Sequence, residues 1–278
     1  PAFVMDGALR RVLGKIAYHG ADVSLEVAQE ALPPHGVFEA RSWQWCPCAI
    51  EVPSLSRKSR IHDAPLEVLF VGSLQEGKGV LEVLKTASVL KSQGRERDFR
   101  FRIVGKWFSE EFEVKARVLW NDLELGSMVE FTGQLTGDEK WNAYRDADVF
   151  FFPTHYASEA TPIVLMEALG AGLPIVSTEW AGIPAMMNGC EAATLLPVRS
   201  PETYADALKK IFEDTGSEER KSQVARAFHH AHFKPERFVE RVGKSFLSAL
   251  HPSPAVRGIP VAETPVVARG NGSPLTNA

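Results

Sequence analysis

Residues 158–178 read SEATPIVLMEALGAGLPIVST, and this stretch decides both the layout of the chain and the place of its chemistry. Thr161 reads as a helix N-cap and Pro162 as the first helical residue, where its missing N–H would be unpaired in any case. Ile163 and Val164 then present free N–H groups at the helix start, a setting that stabilises an exposed anion by about 0.3–1 kcal/mol. The helix runs out in Gly170, Ala171 and Gly172, and a short apolar strand follows over Pro174 to Ser177. Glu159 precedes the helix and Glu167 lies one turn inside it, on the face of Ile163 and Val164. A carboxylate there does not bind phosphate itself. It accepts hydrogen bonds from vicinal sugar hydroxyls attached to a phosphate held at the helix start. The competing reading makes Glu159 a simple cap and Glu167 a solvated helix residue.

Outward from this stretch, β-rich apolar runs alternate with helical patterns from residue 66 onward, the signature of a parallel sheet covered on both faces. The expected strands are Leu66 to Val71, Phe99 to Val104, Met128 to Phe131, Asp148 to Phe152, Pro174 to Ser177 and Ala193 to Leu196. Helices are expected to begin near Lys78, Glu110, Asp138, Pro162, Ile183 and Pro201. Phe150, Phe151 and Phe152 in succession require a strand buried on both faces. Every candidate motif then follows the carboxyl end of a strand, the edge where open α/β sheets bind ligands.

Residues 1–62 read differently. A helix-like segment runs from Gly7 to Tyr18, Trp43 and Trp45 form an aromatic cluster, and CPCAIEVPSLSRKSR reads as a strand followed by a polar linker. After Leu250 the composition turns to Pro, Gly, Ser and Thr, which predicts a disordered tail over residues 251–278. The expected domains are thus 1–62, 63–250 and the tail. The chain starts at Pro1 and not at methionine, which suggests a processed or truncated product.

With 278 residues, 45% of them hydrophobic, the chain has ample material for a core. A net charge of −4 and a pI near 6.1 give no electrostatic footprint for nucleic acid. Its longest apolar stretch, Ile163 to Val176, is interrupted by Glu167 and too short to span a bilayer, while peripheral membrane contact stays open. Cys46, Cys48 and Cys190 cannot form a disulfide framework and lack the partners of a zinc site, so they read as reduced cytoplasmic thiols, with no metal or cofactor expected.

The first strand leads into FVGSLQEGKGV, where glycines flank Lys78. Gly72, four residues and then Gly77-Lys78 nearly fit a phosphate-cradling P-loop, but Gly79 stands where that motif needs a hydroxyl for magnesium. A P-loop NTPase is therefore the weaker alternative, and a G-x-G-x-x-G dinucleotide fingerprint is missing.

Taken together, FVGSLQEGKGV, FRIVGKW, VEFTGQLTGDEKWNAYRDADVFFFPT, SEATPIVLMEALGAGLPIVSTEWAGIPAMM and HFKPERFVERV resemble the C-terminal half of retaining GT-B glycosyltransferases, particularly glycosyltransferase family 4. The resemblance covers about residues 66–250 and implies a Rossmann-like donor-binding domain. It implies that Glu167 holds the ribose hydroxyls of a nucleotide-sugar, that Glu159 faces the donor sugar, and that Lys78 neutralises the leaving diphosphate. Backbone groups of Thr161, Pro162, Ile163 and Val164 would face that diphosphate, beside the Gly72–Ser73 loop, and Gln134 and Leu135 would lie beside the base. The family usually places arginine where this chain has Ser73. Lys106, after the second strand, is the candidate for a substitute charge, and a non-catalytic nucleotide-sugar-binding module is the main alternative. The acceptor, whether sugar, lipid or another molecule, stays unidentified, because residues 1–62 can hold only the end of an acceptor-binding half.

Overall fold

The computed structural model describes residues 23–26, 42–56, 64–214 and 216–250. The helix expected over Gly7 to Tyr18 and the tail 251–278 lie outside the described residues.

A six-stranded parallel sheet forms the centre. Its strands are β3 (Leu66–Val71), β4 (Phe99–Val104), β5 (Val129–Gly133), β6 (Val149–Phe152), β7 (Ile175–Thr178) and β8 (Ala193–Leu196), in the order β5-β4-β3-β6-β7-β8. Among the described residues the helices are α1 (Val80–Ser92), α2 (Glu110–Asp122), α3 (Gly137–Asp146), α4 (Ile163–Ala171), α5 (Ile183–Met186), α6 (Pro201–Glu213), α7 (Glu218–His232) and α8 (Pro235–Leu250). From β3 the chain winds outward through β4 to β5, then returns to the other side of β3 at β6. Right-handed crossovers place helices on opposite faces when the winding reverses. Accordingly α1 packs with α2 and α6, and α4 packs with α3 and α7.

The phenylalanine run of β6 ties both layers to the sheet. Phe150, Phe151 and Phe152 are all buried. Successive side chains on a strand face opposite ways, so Phe151 meets Tyr204 of α6 edge-on at 5.4 Å while Phe150 stacks on Tyr144 of α3 at 5.7 Å. Each ring contributes about 1.5–3 kcal/mol by burial. Edge-side β4 alternates instead: in FRFRIV the phenylalanines are buried, Arg100 is exposed and Arg102 half-buried.

The structure shifts several expected boundaries by one or two residues. Met128 ends a 3-10 turn, so β5 begins at Val129. Asp148 precedes β6 and caps the neighbouring strand instead, its carboxylate accepting from the Glu67 N–H at 2.9 Å. β7 begins at Ile175, after Pro174, because a proline cannot donate to the ladder. Among the described residues of CPCAIEVPSLSRKSR, 46–56, the expected strand is not formed. The strand here is β2 (Ser42–Trp45), which pairs in parallel with β1 (Val23–Glu26), and residues 46–56 run on without regular structure. This irregular segment packs on the sheet domain: the Ile50 N–H donates to the Phe233 carbonyl at 2.9 Å and Val52 sits over Gly170. Among the described residues no helix is long and apolar enough to cross a membrane.

The loops after β3 and β4 are joined edge to edge. Gly72 N–H donates to Val104 O at 3.0 Å, Leu74 N–H to Lys106 O at 2.9 Å and Phe108 N–H to Leu74 O at 3.0 Å. This approach requires glycine at 105, where a Cβ would stand 1.8 Å from the Gly72 carbonyl oxygen. Gly105→Ala is expected to destabilise the protein by about 1–3 kcal/mol, the scale of an overpacked site, in urea denaturation. An unchanged midpoint would show that the two loops separate freely.

Candidate active site

The sheet's winding reverses between β3 and β6, and in an open α/β sheet ligands bind outside the carboxyl ends of the strands at such a switch point. The loops leaving these two strands are bound together there. A 3-10 turn over Glu76–Lys78 ends at Gly79, in left-handed conformation at φ 86°, before α1 begins. Only glycine suits this position, since a Cβ would lie 2.2 Å from the Pro153 carbonyl oxygen. Across the crevice the His155 N–H donates to the Gly77 carbonyl at 2.8 Å. The crossing brings the Lys78 ammonium to 2.7 Å from Glu159 Oε2, with the Tyr156 ring 4.6 Å from the ammonium.

Glu159 is fixed from every side. Its carboxylate accepts from Thr154 Oγ1 at 2.9 Å, its N–H donates to Tyr156 O and its carbonyl accepts from the Gly182 N–H, both at 3.0 Å. Thr178 Oγ1 in turn donates to the Thr154 carbonyl at 2.6 Å, which ties the loop to β7. Glu159 is 6% exposed, so its charge depends on these partners. His155, next to Thr154, is pushed toward its neutral form by burial, with nearby Arg199 adding to the effect.

Glu167 is also buried, at 5% exposure, which rules out the reading of a solvated helix residue. One oxygen accepts from Lys140 Nζ and the other from Tyr144 OH, each at 2.7 Å. Lys140 and Tyr144 stand one turn apart on α3, so a single helix face grips both oxygens. Burial, with the Glu167 charge adding, holds the Tyr144 phenol well above its usual range, so it remains a proton donor.

The helix start differs from expectation by one position. Pro162 is extended, with ψ 117°, and serves as the N-cap of α4, whereas Thr161 lies before the cap and neither side chain makes a capping bond. Helical geometry therefore begins at Ile163. The first N–H groups of the helix, those of Ile163 and Val164, still lack intrahelical acceptors, and Ile163 is 51% exposed.

Gly72, Ser73, Gln134 and Leu135 share one cleft of about 550 Å³, whose wall also carries Lys106 and Phe108. The cleft lies at the carboxyl ends of β3, β4 and β5, on one side of the switch point, while Glu159 and Glu167 stand on the β6 side. Among the described residues no cluster of three or more His, Cys, Asp or Glu side chains is placed to hold a metal. Sequence reading missed Thr154, Lys140 and Tyr144. The last two carried a signal, a lysine and a tyrosine at helical spacing just after the Gly133 loop.

A buried carboxylate deprived of its cation is costly, so Lys78→Met is expected to lower stability by about 3 kcal/mol in chemical denaturation. Adding Glu159→Gln should recover most of that loss. Equal destabilisation by the single and double variants would show that the pair is not coupled.

Residues 52–229 match the family model for glycosyl transferases group 1. The chain is 32% identical over 193 residues to the putative colanic acid biosynthesis glycosyltransferase WcaL of Escherichia coli K12, covering 67% of this chain and 46% of that protein. It thus spans about half the length of that relative. The structure superposes on sucrose-phosphate synthase of Thermosynechococcus elongatus with a TM-score of 0.70 at 20% identity, over 90% of this chain and 63% of the other. It also superposes on Anabaena HepE, solved in complex with UDP and glucose, with a TM-score of 0.67 at 14% identity, over 86% and 66%. The sheet architecture is that of GT-B glycosyltransferases, and the chain belongs to the glycosyl transferases group 1 family.

Proposed function

We propose that this chain is the donor-binding half of a glycosyltransferase that moves a sugar from a nucleotide-sugar to an acceptor with retention of configuration. The observation that carries the proposal is the pair of buried carboxylates, each held by a lysine at 2.7 Å, on the two sides of the exposed start of α4. Each carboxylate keeps acceptor capacity beyond its two protein partners, since an ionised carboxylate offers about four lone-pair sites. Glu167 would spend that capacity on the ribose hydroxyls and Glu159 on hydroxyls of the donor sugar. Lys78, with further N–H bonds to give, and the N–H groups of Ile163 and Val164 would face the diphosphate, and Gln134 and Leu135 the base.

In the transfer itself the bond between the sugar's anomeric carbon and the diphosphate oxygen breaks, and its electron pair stays on that oxygen. The acceptor hydroxyl forms the new bond on the same face, and its proton passes to the departing phosphate oxygen. The protein's contribution is electrostatic: fixed ammonium and N–H donors meet the charge that develops on the leaving group. No tightly bound metal is required in this scheme. The second reading, a module that binds nucleotide-sugar without turnover, is favoured by Ser73, which offers one neutral hydroxyl beside the diphosphate position.

Glu167→Gln preserves shape while removing the charge that receives the ribose hydroxyls, and is expected to weaken binding of a nucleoside diphosphate by about 1.5–3 kcal/mol. Alanine is the poorer probe, because it would also strip Lys140 and Tyr144 of their acceptor. Isothermal titration measures the difference. Unchanged affinity would remove Glu167 from the site.

A further inference from the structure

We propose that Lys106 is a phosphate-binding residue of the donor site, supplying from the β4 loop the positive charge that Ser73 does not supply from the β3 loop. This assignment rests on the donor-site reading above and adds a residue to it.

The register of the sheet places the two residues opposite each other. β3 and β4 pair from Leu66 with Phe99 to Val71 with Val104, and the same offset holds in the isolated bridge between Leu74 and Trp107. Ser73 and Lys106 therefore occupy matched positions between Val71 and Leu74, about 5 Å apart at their backbones, the spacing of neighbouring strands. The Leu74 N–H, bonded to the Lys106 carbonyl at 2.9 Å, fixes this juxtaposition. Both side chains are exposed and line the same cleft.

Charge matching singles out Lys106. Lys78 is paired with Glu159 and Lys140 with Glu167, so much of the charge of those two lysines is offset by the carboxylates, although Lys78 keeps N–H bonds to give. Among the described residues Lys106 is the only ionisable side chain lining the cleft, and no carboxylate lies within ion-pair distance of it. Ser73 is small, so the four-carbon stem of Lys106 can extend over it within the shared cleft. Two cations at these matched positions would repel each other. An arginine at one and a lysine at the other are thus alternative solutions to one electrostatic need. During transfer Lys106 makes no covalent bond; it stabilises the oxygen that receives the electron pair of the broken sugar–phosphate bond.

The test uses the full chain titrated with UDP, ADP and GDP, the tightest being carried forward with its unphosphorylated nucleoside, measured by displacement. Lys106→Ala, which removes an exposed side chain, is expected to weaken the diphosphate at least tenfold while changing the nucleoside less than twofold. Ser73→Arg introduced into Lys106→Ala should restore most of the loss. Equal weakening of diphosphate and nucleoside would place Lys106 on the base and overturn the assignment, as would unchanged diphosphate affinity. Failure of the unaltered chain to bind any of the three diphosphates would instead sink the donor-site reading on which it rests.

Discussion

A charged carboxylate can be buried only with a cation and hydrogen bonds to hold it, and the Lys78–Glu159 pair meets that constraint across the seam of the sheet. The two residues are 81 positions apart in sequence and leave adjacent strands that the chain visits at different stages of its winding. Their contact needs the 3-10 turn before α1, the glycine at 79, and Thr154, whose hydroxyl donates to Glu159 while its carbonyl is held by Thr178 at the end of β7. Each of these local features costs something alone: a left-handed residue, a tight loop crossing, a buried hydroxyl. Together they satisfy one another's charge and hydrogen bonds.

The second buried pair repeats the arrangement with different parts. Glu167 is gripped by one face of α3, and Tyr144 continues from its carboxylate into the aromatic stack on Phe150. The polar centre is thereby tied directly to the hydrophobic core of β6. A site assembled from such elements is preorganised, so little reorientation of its donors is left for the moment of binding. The α4 start, by contrast, is left exposed at Ile163, as the proposed contact with a diphosphate would require.

Much of this was legible in the sequence. The alternation of strands and helices, the doubly buried phenylalanine run and the placement of the motifs at one sheet edge follow from periodicities of two and 3.6, which the structure keeps. What local pattern could not supply was partnership. Nothing near Glu167 announces Lys140 and Tyr144, 27 and 23 residues away, and Lys78 reads as a free phosphate ligand until β6 is seen beside β3. The one-residue error at α4 has a local cause: Thr161 and Pro162 both satisfy capping preferences, and the extended backbone of Pro162 decides between them. The misplaced strand in CPCAIEVPSLSRKSR arose because its apolar residues pack on the sheet domain without joining a ladder.

Under the proposed function the protein's own cations and helix N–H groups, and not a metal ion, hold a nucleoside diphosphate at the seam. Titration of the full chain with UDP, ADP and GDP, in chelator and again with magnesium, tests it most directly. At least one of the three is expected to bind, with the same affinity in both conditions. Binding that appears only with magnesium, or no binding of any of the three, would contradict it.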